Sequence, residues 1–83
     1  MYIFYSDSGH GWLKVKRSEL EELNIADKIS FYSYQSGKSV YLEEDCDAGV
    51  FINAKRAKGK DIIIKDKYIN DPCFIRRLPC YKR

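Results

Sequence analysis

The sequence predicts a small α+β domain, in which two helices pack on one face of a small antiparallel or mixed sheet. Three observations support this prediction. Short runs of alternating apolar and polar residues recur along the chain, two segments have the periodicity and ends of helices, and 83 residues suffice for a single core. We therefore expect one domain over residues 1–83, with the element order β-β-α-β-β-α-β-β.

Each element is predicted by a local pattern. The strands are stretches rich in β-branched and aromatic residues, bounded by glycine, proline or small polar residues. The second helix has apolar residues at positions 50, 51, 54 and 57, which is a stripe of helical period. The expected bounds are strand 2–6, strand 12–16, helix 18–24, strand 29–35, strand 39–43, helix 45–58, strand 61–65 and strand 74–78.

Both predicted helices have recognisable terminal residues. Ser18 and Glu21 have the spacing of a capping box, with Ser18 as the N-cap. Asp45 is the expected N-cap of the second helix. Asn24 and Gly59 suit the two C-termini, because both residue types adopt the left-handed conformation that ends many helices.

Charge is distributed unevenly along the chain. Residues 1–54 hold 5 basic and 9 acidic side chains, whereas residues 55–83 hold 10 basic and 3 acidic ones. This asymmetry points either to an acidic partner for the basic part or to two halves that neutralise each other within the fold.

The sequence predicts a cytoplasmic protein. We expect no signal peptide, because the apolar run that begins at Tyr2 stops at Asp7 and no basic residue precedes it. No stretch approaches the roughly 20 apolar residues of a membrane span. The three cysteines form no disulfide framework, although a Cys73–Cys80 bridge stays open as an alternative.

The acidic run at residues 43–47 has two interpretations. As a binding site, Glu43, Glu44 and Asp45 would attract a cation or a basic partner. As a helix N-terminus, the run would use Asp45 as the N-cap, with Asp47 in the first turn. The run lacks the alternating spacing of a calcium loop and the cysteines lack zinc spacing, so we expect neither a metal nor a cofactor.

His10 is the one histidine and lies between two glycines, where it could approach a ligand together with Trp12. Asp7, three residues earlier, could orient it. The alternative is a turn residue with local hydrogen bonds. We expect no catalytic residues, because no serine or cysteine nucleophile stands in a recognisable motif.

Arg76 and Arg77, with Phe74 and Tyr81 close by in sequence, are the best candidates for a surface that binds phosphate or an acidic protein. The alternative is a solvated basic face. The sequence has no RNA-recognition signature and no helix-turn-helix or zinc-finger pattern.

Five stretches are similar, in combination, to one group of proteins. They are Asp7–Leu13, Ile25–Ser30, Tyr32–Gln35, Val40–Asp47 and Ile75–Arg77. With them the chain resembles a group of small uncharacterised proteins carried by phages and plasmids. The resemblance implies a bacterial cytoplasmic setting and an accessory protein of a mobile element, and it provides no catalytic residues.

Three functions follow from these patterns, in order of preference. The first is a non-enzymatic accessory protein that binds a host protein, which the small size and the seven tyrosines favour. The second is a nucleic-acid-binding protein that uses the basic C-terminal part. The third is a small-ligand binder or enzyme, for which the His10 loop and the acidic run must surround one pocket. Exposed tyrosines would also suit a homodimer.

Overall fold

Within residues 1–70 and 73–83, which the computed structural model describes, the protein folds as a five-stranded mixed sheet with two α-helices. The elements are β1 (Tyr2–Ser6), β2 (Gly11–Lys16), α1 (Arg17–Glu22), β3 (Tyr34–Ser36), β4 (Ser39–Glu43), α2 (Asp47–Ala57) and β5 (Ile64–Tyr68). The strand order is β3-β4-β2-β1-β5, in which β5 is parallel to β1 and all other neighbours are antiparallel. The predicted small α+β domain is confirmed, whereas the predicted order of elements is correct only up to β5.

Alternation along the strands produces two apolar layers, one on each face of the sheet. The helix-side core receives Leu13 and Val15 from β2, and it contains Phe51 of α2. Its buried residues are Leu13, Val15, Leu20, Ile25, Ala26, Ile29, Val40, Leu42, Ala48, Phe51 and Tyr81. The opposite face forms the C-terminal-side cluster, whose buried residues are Tyr5, Trp12, Tyr41, Cys73 and Ile75. Trp12 therefore faces away from Leu13 and Val15, although all three belong to β2.

Helix α1 follows β2 without a loop, and this continuity moves its N-terminus. The N-cap is Lys16, and the prediction of Ser18 was wrong. The carboxylate of Glu19 accepts a hydrogen bond from the Lys16 backbone N–H at 3.0 Å. The N-cap therefore lies two residues before the predicted position. At the other end Asn24 has φ of 59°, and the helix closes with the Asn24 amide donating to the Glu21 carbonyl, as predicted for a left-handed C-terminus.

Helix α2 begins at Asp47 with Cys46 as its N-cap, so the prediction of Asp45 as the N-cap was wrong. The reason is that Glu43 supplies the capping carboxylate from the end of β4. The helix ends as predicted, since Gly59 has φ of 74° and its amide donates to the carbonyl of Arg56.

Three predicted strands differ from the observed ones. The segment expected as a strand from residue 29 enters the sheet only at Tyr34, and β5 lies three residues later than the predicted strand 61–65. The expected strand 74–78 is instead a 3₁₀ helix over Phe74–Arg77, closed by a bond from the Leu78 amide to the Ile75 carbonyl. The predicted turn at residues 70–72 includes Asp71 and Pro72, which lie outside the described residues.

The C-terminal segment crosses the β3 edge of the sheet and ends in the helix-side core. Cys80 forms an antiparallel bridge with Tyr34, and the Tyr81 hydroxyl donates a hydrogen bond of 2.6 Å to the carbonyl of Ala26. All three thiols are free, with Cys73 buried and both Cys46 and Cys80 exposed. Among the described residues no helix has the length and apolar character needed to cross a bilayer.

Candidate functional site

A cavity of about 490 Å³ opens at the end of the sheet where β2 begins and β4 ends. Four separate parts of the chain surround it: the start of β2, the segment before β3, the connection from β4 to α2, and the C-terminal 3₁₀ helix. The lining residues are His10, Gly11, Trp12, Ser30, Tyr32, Tyr34, Glu43, Glu44, Asp45, Cys46 and Arg76.

Aromatic rings form the floor of the cavity. Antiparallel register pairs Trp12 with Glu43, which places both side chains on the C-terminal-side face. The Trp12 ring contacts the Tyr34 ring edge to face, with centroids 6.1 Å apart. The centroid of the His10 ring also lies 6.1 Å from the Trp12 centroid, with the two planes tilted. Tyr32 is 66% exposed and stacks on Phe31 at 4.7 Å, so an aromatic rim continues from the cavity to the surface.

The wall on the β1–β2 side is held by an ion pair between the buried carboxylate of Asp7 and the exposed Arg76. Arg76 makes two hydrogen bonds to Asp7, from Nε to Oδ2 at 2.6 Å and from Nη2 to Oδ1 at 2.9 Å. Asp7 Oδ1 also accepts the backbone amides of Gly9 and His10. The hydrogen bond from Arg76 and these amides outweigh partial burial and hold the pKa of Asp7 well below its usual range.

This arrangement corrects the expected role of Asp7. Its carboxylate binds the main chain of His10 and not the imidazole, so it fixes the loop and does not activate the histidine. Arg76 in turn lies over the Trp12 ring, with Cζ 5.5 Å from the centroid. The pair therefore connects the His10 loop, the aromatic floor and the 3₁₀ helix.

The wall on the α2 side depends on Glu43. Its carboxylate accepts the backbone amides of Asp45, Cys46 and Asp47 at 2.7–3.0 Å. Burial would raise the pKa of Glu43, but these three amides, together with the nearby His10, bring that pKa below its ordinary value. Glu43 therefore shapes the cavity as a helix cap, whereas the Glu44 and Asp45 side chains are exposed.

Asp47 anchors the segment before β3, and the sequence reasoning did not assign it this role. Its Oδ2 accepts hydrogen bonds from the Ser30 amide at 3.0 Å, the Ser30 hydroxyl at 2.7 Å and the Ser33 hydroxyl at 2.6 Å. The Ser33 hydroxyl also accepts the Glu43 amide at 3.0 Å. These bonds keep residues 30–33 out of the sheet and place Ser30 and Tyr32 on the cavity.

Most of the sequence-predicted binding residues lie around this cavity. They are His10, Trp12, Glu43, Glu44, Asp45 and Arg76. Arg77 is exposed on the same 3₁₀ helix but does not line the cavity. The tyrosines at 32 and 34 were missed as site residues, and the richness of the chain in tyrosine was the signal that could have indicated them.

Charge around the cavity is predominantly negative. Glu43, Glu44 and Asp45 line it, while the charge of Arg76 is balanced by Asp7. Within residues 1–70 and 73–83 no group of three histidine, cysteine or acidic side chains is arranged to hold a metal ion.

The basic part of the chain is partly neutralised by the acidic part. In the part of the chain that the structure describes, three ion pairs join them: Arg76 with Asp7, Lys55 with Glu19 at 3.5 Å, and Arg83 with Asp27 at 4.0 Å. The interpretation that the two halves of the chain neutralise each other within the fold therefore has a structural basis. Nucleic-acid binding stays a prediction.

Comparison of the chain with protein-family models, with curated proteins and with solved structures finds no match.

Proposed function

We propose that this protein is a non-enzymatic binding protein whose cavity receives a positively charged side chain, arginine or lysine, presented by a host protein. The observation that supports this proposal is the cavity itself. It combines aromatic rings with three carboxylates and is open to the surface beside exposed aromatic residues. Aromatic faces and carboxylates together are the groups that bind an organic cation with an apolar stem.

The size and charge of the site favour such a ligand. A cavity of about 490 Å³ exceeds what a single side chain fills, so neighbouring residues of the partner would also enter. Glu44 and Asp45 are exposed and would form charge-assisted hydrogen bonds with an incoming guanidinium or ammonium group. Cation–π contact with the tyrosines would add about 0.5–2 kcal/mol.

Binding is a better interpretation than catalysis because the two carboxylates with lowered pKa at the cavity already accept hydrogen bonds from the main chain. Glu43 accepts three amides, and Asp7 accepts two amides in addition to Arg76. A general base must accept a proton from substrate, and both groups are already committed to the main chain.

Trp12 provides a direct test, because it is the one tryptophan in the chain and lines the cavity. N-acetyl-arginine amide and a short arginine-containing peptide should change its fluorescence in a saturable manner. Replacing Glu44→Gln and Asp45→Asn together should weaken this binding by about tenfold or more. The matched control is Glu21→Gln with Glu22→Gln, an exposed pair on α1 with the same change in net charge.

Capture from a bacterial lysate then tests the partner. The parent chain and the α1 control should retain the same host protein, and the cavity variant should lose it. Absence of saturable binding to any arginine or lysine probe, or equal loss in both double variants, would overturn the proposal.

A further inference from the structure

Strand β5 is an open edge of the sheet. All five residues of Ile64–Tyr68 are exposed, and among the described residues its one strand neighbour is β1. The opposite edge is different, because β3 has three residues and is crossed by the C-terminal segment at Cys80. Exposed edge strands are usually shortened, covered or charged, and β5 is of the charged kind, with Lys65, Asp66 and Lys67 at its centre.

The backbone groups that face outward can be assigned from the parallel pairing. Tyr2 donates to the Ile63 carbonyl at 2.9 Å, and Ile69 donates to the Ser6 carbonyl at 2.8 Å. Because main-chain groups alternate in direction along a strand, those of Lys65 and Lys67 face β1. The amides and carbonyls of Ile64, Asp66 and Tyr68 therefore face away from the sheet, in a row that another strand could use.

The two faces of β5 carry different side chains, with both lysines on one face and Ile64 and Asp66 on the other. Lys65 and Lys67 pair with Ile3 and Tyr5 on the C-terminal-side face, and the Lys67 ammonium lies 5.9 Å from the Tyr5 ring centroid. Ile64 lies on the helix side, where it borders a groove of about 390 Å³. The groove is lined mainly by apolar residues: Phe4, Leu13, Ala48, Gly49, Ile52 and Ile64, with Glu44 and Asp66.

We infer that β5 accepts an extended segment of another protein as an additional strand, with acidic side chains opposite Lys65 and Lys67 and apolar side chains on the helix side. Main-chain hydrogen bonds would give the affinity of such a complex, and the alternating side chains its specificity. The partner strand would place carboxylates beside the two lysines and extend the apolar surface around Ile64. No residue of β5 lines the cavity of the proposed function, although Glu44 borders both that cavity and the groove beside Ile64.

Charge also disfavours a second copy of this chain as the occupant. When the β5 strands of two copies pair in an antiparallel, two-fold symmetric way, the residue on the symmetry axis lies opposite itself. Residues on either side of it lie opposite each other. Registers centred on residues 65 and 67 oppose Lys65 to Lys65 and Lys67 to Lys67. The register centred on residue 66 opposes Lys65 to Lys67 and Asp66 to Asp66. Like charges directly opposite are destabilising, so the lysines disfavour these three registers, whereas they attract an acidic strand.

Hydrogen exchange on the full chain tests the inference at single amides. The probe is a blocked peptide of alternating glutamate and valine, compared with the same peptide carrying lysine in place of glutamate. At low salt the glutamate peptide should slow exchange of the Ile64, Asp66 and Tyr68 amides by about tenfold. The Lys65 and Lys67 amides, already bonded to β1, should change little, and the lysine peptide should have no effect.

Two variants identify the cause of any protection. Asp66→Pro removes an outward amide without removing a bond to β1 and should abolish binding, whereas Asp66→Ala keeps the amide and should bind. The double variant Lys65→Glu with Lys67→Glu should bind the lysine peptide in preference to the glutamate peptide. This result tests the inference even if the proline variant does not fold. Absence of protection at millimolar glutamate peptide, or equal protection by both peptides, would overturn the inference. So would concentration-dependent dimerisation that Asp66→Pro abolishes.

Discussion

A single buried carboxylate, Asp7, organises one wall of the cavity. It accepts two hydrogen bonds from Arg76 and one amide each from Gly9 and His10. A buried charge is tolerated only when it is paired and hydrogen-bonded, and here all four donors are supplied. The Asp7 carboxylate thus positions the main chain of His10, and with it the imidazole ring next to Trp12.

Gly11 provides a residue-scale prediction. A Cβ at this position would lie 2.4 and 2.6 Å from two ring atoms of Phe4, which packs against the helix-side core. We expect Gly11→Ala to lower the free energy of unfolding by about 1–3 kcal/mol, because the ring must shift within a packed layer. Chemical denaturation measures the change.

Gly49 is the matched control for this substitution. It lies in α2, and a Cβ there meets no heavy atom within 4 Å. Gly49→Ala should therefore stabilise the protein by about 0.5–1 kcal/mol through helix propensity. Similar losses in the two alanine variants would show that the close approach of Gly11 and Phe4 is not the cause.

At the residue scale, the sequence indicated candidates but not their partners. His10, Trp12 and the acidic run could be selected because glycine neighbours, aromatic character and charge are visible locally. The bond between Asp7 and Arg76 spans 69 residues and depends on a 3₁₀ turn where alternation predicted a strand. No local pattern contains that information.

At the element scale, two carboxylates near the start of α2 bind different parts of the chain. Glu43 reaches the helix amides from the end of β4, and Asp47 turns away from them to bind Ser30 and Ser33. The interpretation of the acidic run as a helix N-terminus was right in location, but the N-cap is Cys46 and not Asp45, and the carboxylate that accepts the first amides comes from Glu43. An offset of this kind depends on where β4 ends, which propensity does not determine.

Asp47→Ala is the corresponding prediction. Asp47 is 2% exposed and accepts three hydrogen bonds from the segment before β3. Its loss leaves the buried Ser33 hydroxyl and the half-buried hydroxyl and amide of Ser30 without this acceptor, and we expect destabilisation of about 2–3 kcal/mol. Asp45→Ala is the control; Asp45 is exposed, and its replacement should change stability by less than about 0.5 kcal/mol. A loss of about 1 kcal/mol in the control would instead restore Asp45 as a cap.

The C-terminal segment is the element that the sequence described least well. Residues 74–78 have apolar and basic side chains in partial alternation, which predicted a strand. In the fold this segment reaches the sheet edge only at Cys80, which forms a bridge with Tyr34. The part before it covers the C-terminal-side face with Cys73 and Ile75. Packing on a sheet face in place of pairing at its edge is a tertiary effect that periodicity cannot reveal.

At the scale of the whole molecule, ionised carboxylates join distant parts of the chain. Asp7 bonds to Arg76, and Glu19 accepts hydrogen bonds from the Tyr2 hydroxyl and the Lys16 amide and pairs with Lys55. For Glu19, burial would raise the pKa, but these donors and the lysine bring it below its ordinary value. Together with Glu43, these groups make the fold depend on carboxylates that stay ionised.

We therefore expect stability to decrease as the pH falls below about 5. The folded-state pKa values of Asp7, Glu19 and Glu43 are lowered, so the unfolded chain binds protons first, near its ordinary values of about 4. Their contribution is complete above those unfolded values and is lost as the pH falls through the folded ones. Urea midpoints between pH 2 and about 7 should show this decline.

The Asp7→Asn variant tests which carboxylate is responsible for the decline. It should be less stable at neutral pH, where Asp7 is ionised and paired with Arg76. The difference from the parent protein should narrow in acid, because the unfolded parent chain takes up a proton at Asp7 near its ordinary pKa while the folded state, with its lowered pKa, does not. Asp27→Asn is the control, since Asp27 is exposed and lies 4.0 Å from Arg83, where solvent screens the pair. Its profile should follow that of the parent protein. If Asp7→Asn reproduced the full acid dependence of the parent, the connection between the His10 loop and the C-terminal 3₁₀ helix would not be the charge-dependent part of the fold.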